Sequence, residues 1–257
     1  MHPMLNIGIR AAHAAGDQIV RYLDRARDMD IQEKSRNDFV TEIDKYAEAI
    51  IIETILKAYP NHGILAEESG EQNKSEYQWI IDPLDGTTNY LHGFPQFAVS
   101  IALSYRGILD QAVIYDPLRQ ELFTASKGEG AYLNKRRIRV SNRKSLEGAL
   151  LGTGFPFGDN DKLEEFIASF RAIFPMTAGI RRAGAASLDL AYVACARLDG
   201  FWEFGLKPWD IAAGALLIIE SGGMISGIMQ KEDYLQEGNI IAGNSKIHQE
   251  LKLILSK

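Results

Sequence analysis

A chain of 257 residues can bury one large core or two closely joined halves, and 46% hydrophobic with 24% charged residues is ordinary soluble-globular composition. The formal net charge of −6 excludes general nucleic-acid binding through phosphate neutralisation, and no direct sequence-specific nucleic-acid contact is expected. The single cysteine, Cys195, excludes an internal disulfide and fits a reducing compartment.

The start, Met1-His2-Pro3-Met4-Leu5-Asn6, lacks the basic residues and long apolar run of a signal peptide. Leu5, Ile9, Ala12, Ile19 and Leu23 then recur near helical spacing, which predicts an amphipathic first helix. Asp28 to Lys34 is polar and reads as irregular chain or a short edge strand. A second helix is predicted from about Thr41 to Tyr59, with Ile43, Ala47, Ile50, Ile51, Thr54, Ile55 and Ala58 on its inner face; Pro60-Asn61 stops it. Asp44 falls in its first turn, where the helix dipole favours a carboxylate.

Gly63-Ile64-Leu65-Ala66 reads as a short buried strand that delivers Glu67 and Glu68 at its end, with a polar loop from Asn73 to Glu76 behind it. The stretch Trp79-Ile80-Ile81-Asp82-Pro83-Leu84-Asp85-Gly86-Thr87-Thr88-Asn89 repeats that logic more strongly. An apolar strand ends in two carboxylates, Pro83 biases Asp82 toward extended backbone, and Gly86 permits a sharp turn. Thr87 or Thr88 is suited to begin a helix, whose free amides favour an anion beside a cation held by the carboxylates.

From Phe97 to Val140 the pattern is a β-meander, with Phe97 to Tyr105 alternating and turns at Arg106-Gly107, Asp116-Pro117 and Gly128-Glu129-Gly130. No helix pattern follows that last glycine pair, so it is a turn and not a phosphate loop. Asn134 to Arg139 is basic and reads as a solvated hairpin. The polar segment Ser141 to Ser145 divides a single domain spanning 1–257 into an N-terminal α+β half, about 1–142, and a C-terminal α/β half, about 143–257.

The second half alternates strands and helices. Strands are predicted at 149–151, near Ile180, and at 200–204, 224–226 and 239–242. Helices are predicted from about Lys162 to Phe174, Ala186 to Arg197 and Trp209 to Ser221, with Gly222-Gly223 as the cap, and from Lys246 onward. Asp210 falls in the first turn of the helix after Pro208. Cys195 is a packing residue, because no polar neighbour would stabilise its thiolate. His13, His62, His92 and His248 lie on unrelated segments without ligand spacing and are expected on surfaces or loops. The longest apolar run, Ile211 to Ile219, is too short to span a bilayer, so the chain is expected to be cytoplasmic.

Leu65-Ala66-Glu67-Glu68-Ser69, the Trp79–Asn89 stretch and Trp209-Asp210-Ile211-Ala212-Ala213-Gly214 resemble, in order and spacing, the three signatures of the inositol monophosphatase family, and the similarity covers essentially the whole chain. It is nearest the bacterial SuhB-type branch. The resemblance implies the layered αβαβα sandwich of the inositol monophosphatase and fructose-1,6-bisphosphatase superfamily, usually as a homodimer. It places Glu67, Asp82 and the Leu84 carbonyl around one Mg²⁺, and Asp82, Asp85 and Asp210 around a second, with a third, weaker ion near Glu67. Asp44 and Thr87 match the pair that orients the attacking water, and Gly86 and Thr87 amides match a phosphate cradle. Glu203, Gly184 and Ala186 match positions that contact the alcohol part of the substrate, and Lys34 matches a residue close to the metals. Relatives often carry Ser or Thr where Ala185 stands, which puts the substrate more in doubt than the metal chemistry.

The expected activity is Mg²⁺-dependent hydrolysis of a small phosphate monoester, with inositol 1-phosphate first and fructose 1,6-bisphosphate or a nucleotide phosphate as alternatives; lithium sensitivity goes with the family. A phosphatase with an aspartate nucleophile also carries Asp-Gly-Thr, but its two aspartates are separated by one position, whereas Pro83 and Leu84 intervene here. A regulatory role is the alternative of another class, since SuhB-type relatives associate with RNA polymerase and the Nus factors of antitermination. Arg181 and Arg182 are then expected near a dimer or partner surface, because adjacent guanidiniums are costly to bury unpaired.

Overall fold

The computed structural model describes residues 2–23, 31–35, 38–156, 160–229 and 231–256. In chain order the elements are α1 (Pro3–Tyr22), β1 (Ile31–Ser35), β2 (Asp38–Thr41), α2 (Glu42–Ala58), β3 (Gly63–Ala66), β4 (Gly70–Gln72), β5 (Tyr77–Asp85) and α3 (Thr87–Leu91). A meander follows: β6 (Ala98–Tyr105), β7 (Ile108–Asp116), β8 (Glu121–Ser126), β9 (Gly130–Leu133) and β10 (Arg136–Arg137). The remainder is β11 (Leu150–Thr153), α4 (Asn160–Ile173), β12 (Gly179–Arg181), α5 (Ala186–Ala194), β13 (Gly200–Glu203), α6 (Pro208–Glu220), β14 (Met224–Ser226), α7 (Tyr234–Glu237), β15 (Ile240–Gly243) and α8 (Ser245–Leu255).

Two large sheets and three helical layers alternate, which is the αβαβα sandwich expected, and β1 and β2 form a separate antiparallel pair. The larger sheet runs β10-β9-β8-β7-β6-β5-β3-β4 and is antiparallel except where β3 lies parallel to β5. The smaller runs β12-β11-β13-β15-β14, with β11 parallel to both neighbours and β15 antiparallel to both of its own. Helices α1 and α2 cover one face of the large sheet, α5 and α6 lie between the sheets, and α4 and α8 close the far side. No helix among the described residues is long and apolar enough to cross a membrane.

The layering corrects the expected alternation of Phe97 to Tyr105. In β6 every residue but Tyr105 is buried, because Val99, Ile101 and Leu103 pack toward α1 and α2 while Ala98 and Ala102 pack toward α5 and α6. A strand roofed on both faces has no polar side to show. The inner face of α2 also narrows to Ile43, Ala47, Ile51 and Ile55, with Ala58 exposed. The turn at Gly128-Glu129-Gly130 holds an anion after all, but a resident one: Glu220 at the end of α6 accepts from the amides of Gly128 and Gly130 at 2.7 and 2.8 Å. The basic segment forms the β9–β10 hairpin, where Asn134 and Lys135 have positive φ and Lys135, Arg136 and Arg137 are exposed.

Two of the histidines expected at the surface are buried. His62 is stacked between Tyr59 and Tyr77 with ring centroids 4.6 and 4.8 Å away, and its Nδ1 accepts from Trp79 Nε1 at 3.0 Å. His248 sits inside α8 with Nε2 2.9 Å from Ser226 Oγ. Both rings have a pKa below the ordinary value, with burial the first cause. Cys195 ends α5, half-buried, and burial pushes its thiol up, away from the thiolate.

Candidate active site

The site begins with a break in strand register. On β5, Asp82 pairs with Ser100 and Asp85 with Ala98, so Pro83 and Leu84 together stand against the single Val99 of β6. Residues three apart on a regular strand point to opposite faces. The extra residue of this bulge restores both carboxylates to one face, and Pro83 sits where the ladder loses no N–H bond. That face is the α5–α6 side: Ala98 belongs to the core under these helices, and Ser100 Oγ donates to Trp209 O in the first turn of α6 at 3.3 Å. Leu84 is buried on the α1–α2 side of the sheet, while its amide donates to Asp82 Oδ1 at 3.0 Å and its carbonyl accepts from Thr87 Oγ1 at 3.0 Å.

The other carboxylates arrive from separate elements. Strand β3 ends level with Asp82, because Ala66 pairs with Ile81 and Glu67 N donates to Ile81 O at 3.1 Å. The buried Glu48 of α2 holds the next residue, accepting from Glu68 N at 2.8 Å. Asp210 enters from the first turn of α6 and caps it, its Oδ2 accepting from Lys207 N at 2.7 Å. Asp85 Oδ2 accepts from Ser187 N at 2.7 Å and from Ser187 Oγ at 2.5 Å.

Beyond the bulge, Gly86 takes φ +94° as the N-cap of α3, and a Cβ there would lie 2.7 Å from Gln96 O. Only glycine meets both conditions. Gly86 is therefore the cap, and Thr87 begins the helix as expected.

One open cavity of about 250 Å³ collects these groups. Glu67, Asp82, Leu84, Asp85, Gly86, Thr87, Gly184, Ala186, Glu203 and Asp210 all line it. Asp44 does not: it is buried in the first turn of α2, and it is the second cause, after burial, of the raised pKa of Tyr90 on α3, the helix that Thr87 opens. Lys34 and the segment 28–30 lie outside the residues whose side chains are described. Arg181 and Arg182 are both exposed, and Arg182 lies over the Phe155 ring, 4.8 Å from its centroid.

Thr153, Arg182 and Asp189 also line the cavity and were not singled out from sequence as site residues. Asp189 had a readable signal, being the one charge in the apolar run Ala186–Ala194. Its Oδ1 is buried without a hydrogen-bond partner among the described residues. Thr153 and Arg182 carry no local signal and reach the cavity through the fold alone.

The electrostatics are those of a site short of positive charge. Burial, then Glu67, Asp85 and Asp210, push Asp82 well above the usual carboxylate range. Asp210 is raised by burial and by Asp85 and Glu67, against the pull of the Lys207 amide. Burial raises Asp85 to about 6 despite the hydrogen bonds from Ser187. Glu203 is raised by burial, Asp189 and Asp210, with Arg182 opposing.

Among the described residues no three acidic side chains close on a point as a finished cage. Each of Asp82, Asp85 and Asp210 has one oxygen held by a protein donor. An open, all-oxygen and strongly acidic donor set fits a hard cation that keeps part of its water, which is the coordination habit of Mg²⁺.

The whole chain is similar to known proteins. Residues 1–256 match the model of the inositol monophosphatase family. A protein of Pseudomonas aeruginosa named Nus factor SuhB is 57% identical over 252 residues, covering 96% of this chain and 93% of its own; its namesake in Escherichia coli is 50% identical over 249 residues, covering 96% and 93%. The crystal structure of the extragenic suppressor protein suhB from Bartonella henselae superposes with a TM-score of 0.96 at 43% identity, over 100% of this chain and 99% of that one. Inositol monophosphatase from Anabaena gives 0.88 at 42% identity, over 98% and 94%. The chain belongs to the inositol monophosphatase family.

Proposed function

We propose that the protein is a Mg²⁺-dependent phosphatase of small monoesters, with myo-inositol 1-phosphate as substrate and inositol and inorganic phosphate as products. The observation that carries this reading is the delivery of Glu67, Asp82, Asp85 and Asp210 by β3, β5 and α6 into one cavity that Glu203 also lines. A phosphate monoester is a dianion, and these carboxylates alone would repel it. Bound Mg²⁺ supplies activation of water and stabilisation of charge on phosphate and leaving oxygen.

Glu67, Asp82, Asp85, Asp210 and the Leu84 carbonyl hold the cations in this reading. Thr87 spends its hydroxyl proton on Leu84 O, so its oxygen lone pairs can accept from the attacking water. Asp44, buried behind the cavity at the start of α2, is the second member of that pair in this reading and acts on the α3 start rather than touching the water itself. The amides of Gly86 and Thr87 cradle the phosphate, and Gly184, Ala186 and Glu203 receive the alcohol. Water oxygen bonds to phosphorus, the ester P–O bond breaks, and the alcohol leaves with a proton. No covalent intermediate is needed.

A panel assay tests the reading: phosphate release from inositol 1-phosphate, fructose 1,6-bisphosphate and a nucleotide monophosphate, with Mg²⁺ and with EDTA. Release abolished by EDTA and by Asp82→Asn is expected. Tenfold preference for the bisphosphate would overturn the substrate, and ¹⁸O from labelled water appearing in Asp82 or Asp85 after a single turnover would overturn direct attack.

A second reading is a homodimer that also associates with Nus factors and RNA polymerase; relatives named Nus factor SuhB support its Nus-factor part. Its test separates the two. Asp85→Asn should abolish phosphate release while leaving co-purification with the transcription machinery intact.

A further inference from the structure

Helix α5 starts without a cap of its own. Ala185 holds the N-cap position with extended backbone, φ −145° and ψ 96°, and no side-chain hydrogen bond. A methyl group cannot accept from the free amides of a first helical turn. The acceptor comes from the end of β5 in the larger sheet: Asp85 Oδ2 takes Ser187 N–H at 2.7 Å and Ser187 Oγ–H at 2.5 Å, and the amides of Ala186 and Leu188 also bear on this carboxylate. Ser187 is wholly buried, and its hydroxyl makes no other hydrogen bond among the described residues.

The Asp85 carboxylate thus has two tasks. Oδ2 faces α5, and the carboxylate lines the cavity into which Glu67, Asp82 and Asp210 project. The amides alone would keep α5 capped, but amides fixed in a helix leave the carboxylate free to rock about its χ2 angle, which is a broad torsion. A hydroxyl donating in a second direction fixes the plane. It is also the only one of these donors that a side-chain substitution removes.

We propose that Ser187 is a positioning residue for Asp85, its hydroxyl fixing the carboxylate so that the acidic cluster binds Mg²⁺ tightly. The inference rests on the phosphatase reading above, because it takes Asp85 as a metal ligand. It differs from the resemblance, which placed the missing hydroxyl at Ala185 and attached it to substrate. Here the hydroxyl sits two residues later and serves the metal.

The experiment is calorimetric titration of Mg²⁺ into the full-length, substrate-free protein, for wild type, Ser187→Ala and Ser187→Cys, with thermal unfolding in EDTA alongside. Loss of an outer-shell partner typically weakens metal affinity about 10–100-fold, and Ser187→Ala is expected in that range. Ser187→Cys fills the space with a somewhat larger atom but gives up the strong donor, and is expected to behave like Ser187→Ala. Tm in EDTA should stay near wild type for both, since the amides still hold Asp85. Unchanged or tighter binding by Ser187→Ala overturns the proposal, as does wild-type affinity in Ser187→Cys, which would make the role one of packing. A drop in EDTA Tm that accounts for the lost affinity overturns it too. Absence of Mg²⁺ binding by wild type overturns the phosphatase reading itself, and the inference with it.

Discussion

Asn89 on α3 donates its Nδ2 to Ala183 O at 2.9 Å, a carbonyl 94 residues away in the loop that leads into α5. The same nitrogen lies 2.8 Å from Gln96 O and 3.2 Å from Gly184 O. One amide group thus joins the helix after the aspartate bulge to both the loop that follows it and the loop beneath the smaller sheet.

Asn89→Ala removes the donor and leaves those carbonyls without it. The expected loss of stability is about 1–3 kcal/mol, the usual cost of stranding partly buried acceptors. Urea unfolding should show a lower midpoint with an unchanged m-value. Because Gly184 also lines the cavity, KM should rise more than kcat falls.

Gly154→Ala tests the substrate end of the cavity. A Cβ at this position would collide with the carboxylate of Glu203. The colliding atoms are the far end of a flexible side chain, so the fold should tolerate the change while Glu203 is displaced. Steady-state kinetics on inositol 1-phosphate should show KM raised severalfold with kcat largely kept. An ester without ring hydroxyls, such as 4-nitrophenyl phosphate, should be affected less.

His62→Phe keeps the stack between Tyr59 and Tyr77 but gives Trp79 Nε1–H no acceptor. A buried donor left unsatisfied costs about 1–3 kcal/mol, which should appear as a lower denaturation midpoint and altered Trp79 emission. The variant should also lose part of the acid sensitivity of wild type. Burial lowers the folded pKa of His62 below 6.5, so the unfolded chain binds the proton first. Its contribution is present above pH 6.5 and lost as pH falls through the folded value.

Asp189 has the opposite sign. Burial and the charge of Asp85 raise its folded pKa well above 3.8, with Arg182 only partly offsetting them. Stability is therefore full below pH 3.8 and is lost as pH rises through the folded value, where the buried group must ionise. Asp189→Asn should stabilise the metal-free protein at pH 8, because the variant has no buried group to ionise. At pH 4 the gain should vanish. Equal effects at both pH values, measured by chemical denaturation in EDTA, would contradict this assignment.

Local signals were strong where one element decides its own fate. The periodicity of α1, the caps around α6 and the turns of the meander all lay in adjacent residues, and so did the three carboxylate-bearing segments. What stayed hidden depends on partners distant in the chain. The small strand β4 forms only because β3 offers an edge, and β6 shows no alternation because helices cover both of its faces. His62 and His248 are polar letters in sequence and become buried ones through Trp79 and Ser226. Asp189 and Arg182 join the cavity, and Ser187 joins Asp85, through contacts between the two sheets that no spacing along the chain encodes.

The bulge at Pro83-Leu84 also makes this part of the chain unusually intolerant of length change. Hairpins such as β9–β10 can gain a residue at their tips and keep both strands in place. Between Asp82 and Asp85 the count decides which side of the sheet the second carboxylate joins. A regular strand that kept both Pro83 and Leu84 in the ladder would turn Asp85 toward the apolar layer under α1 and α2. Deleting Leu84 would restore regular pairing with both aspartates still on one face, but it would remove the amide that donates to Asp82 Oδ1 and the carbonyl that accepts from Thr87 Oγ1. The irregularity thus lets the strand carry one more residue, whose backbone serves the site, without turning a carboxylate away from it.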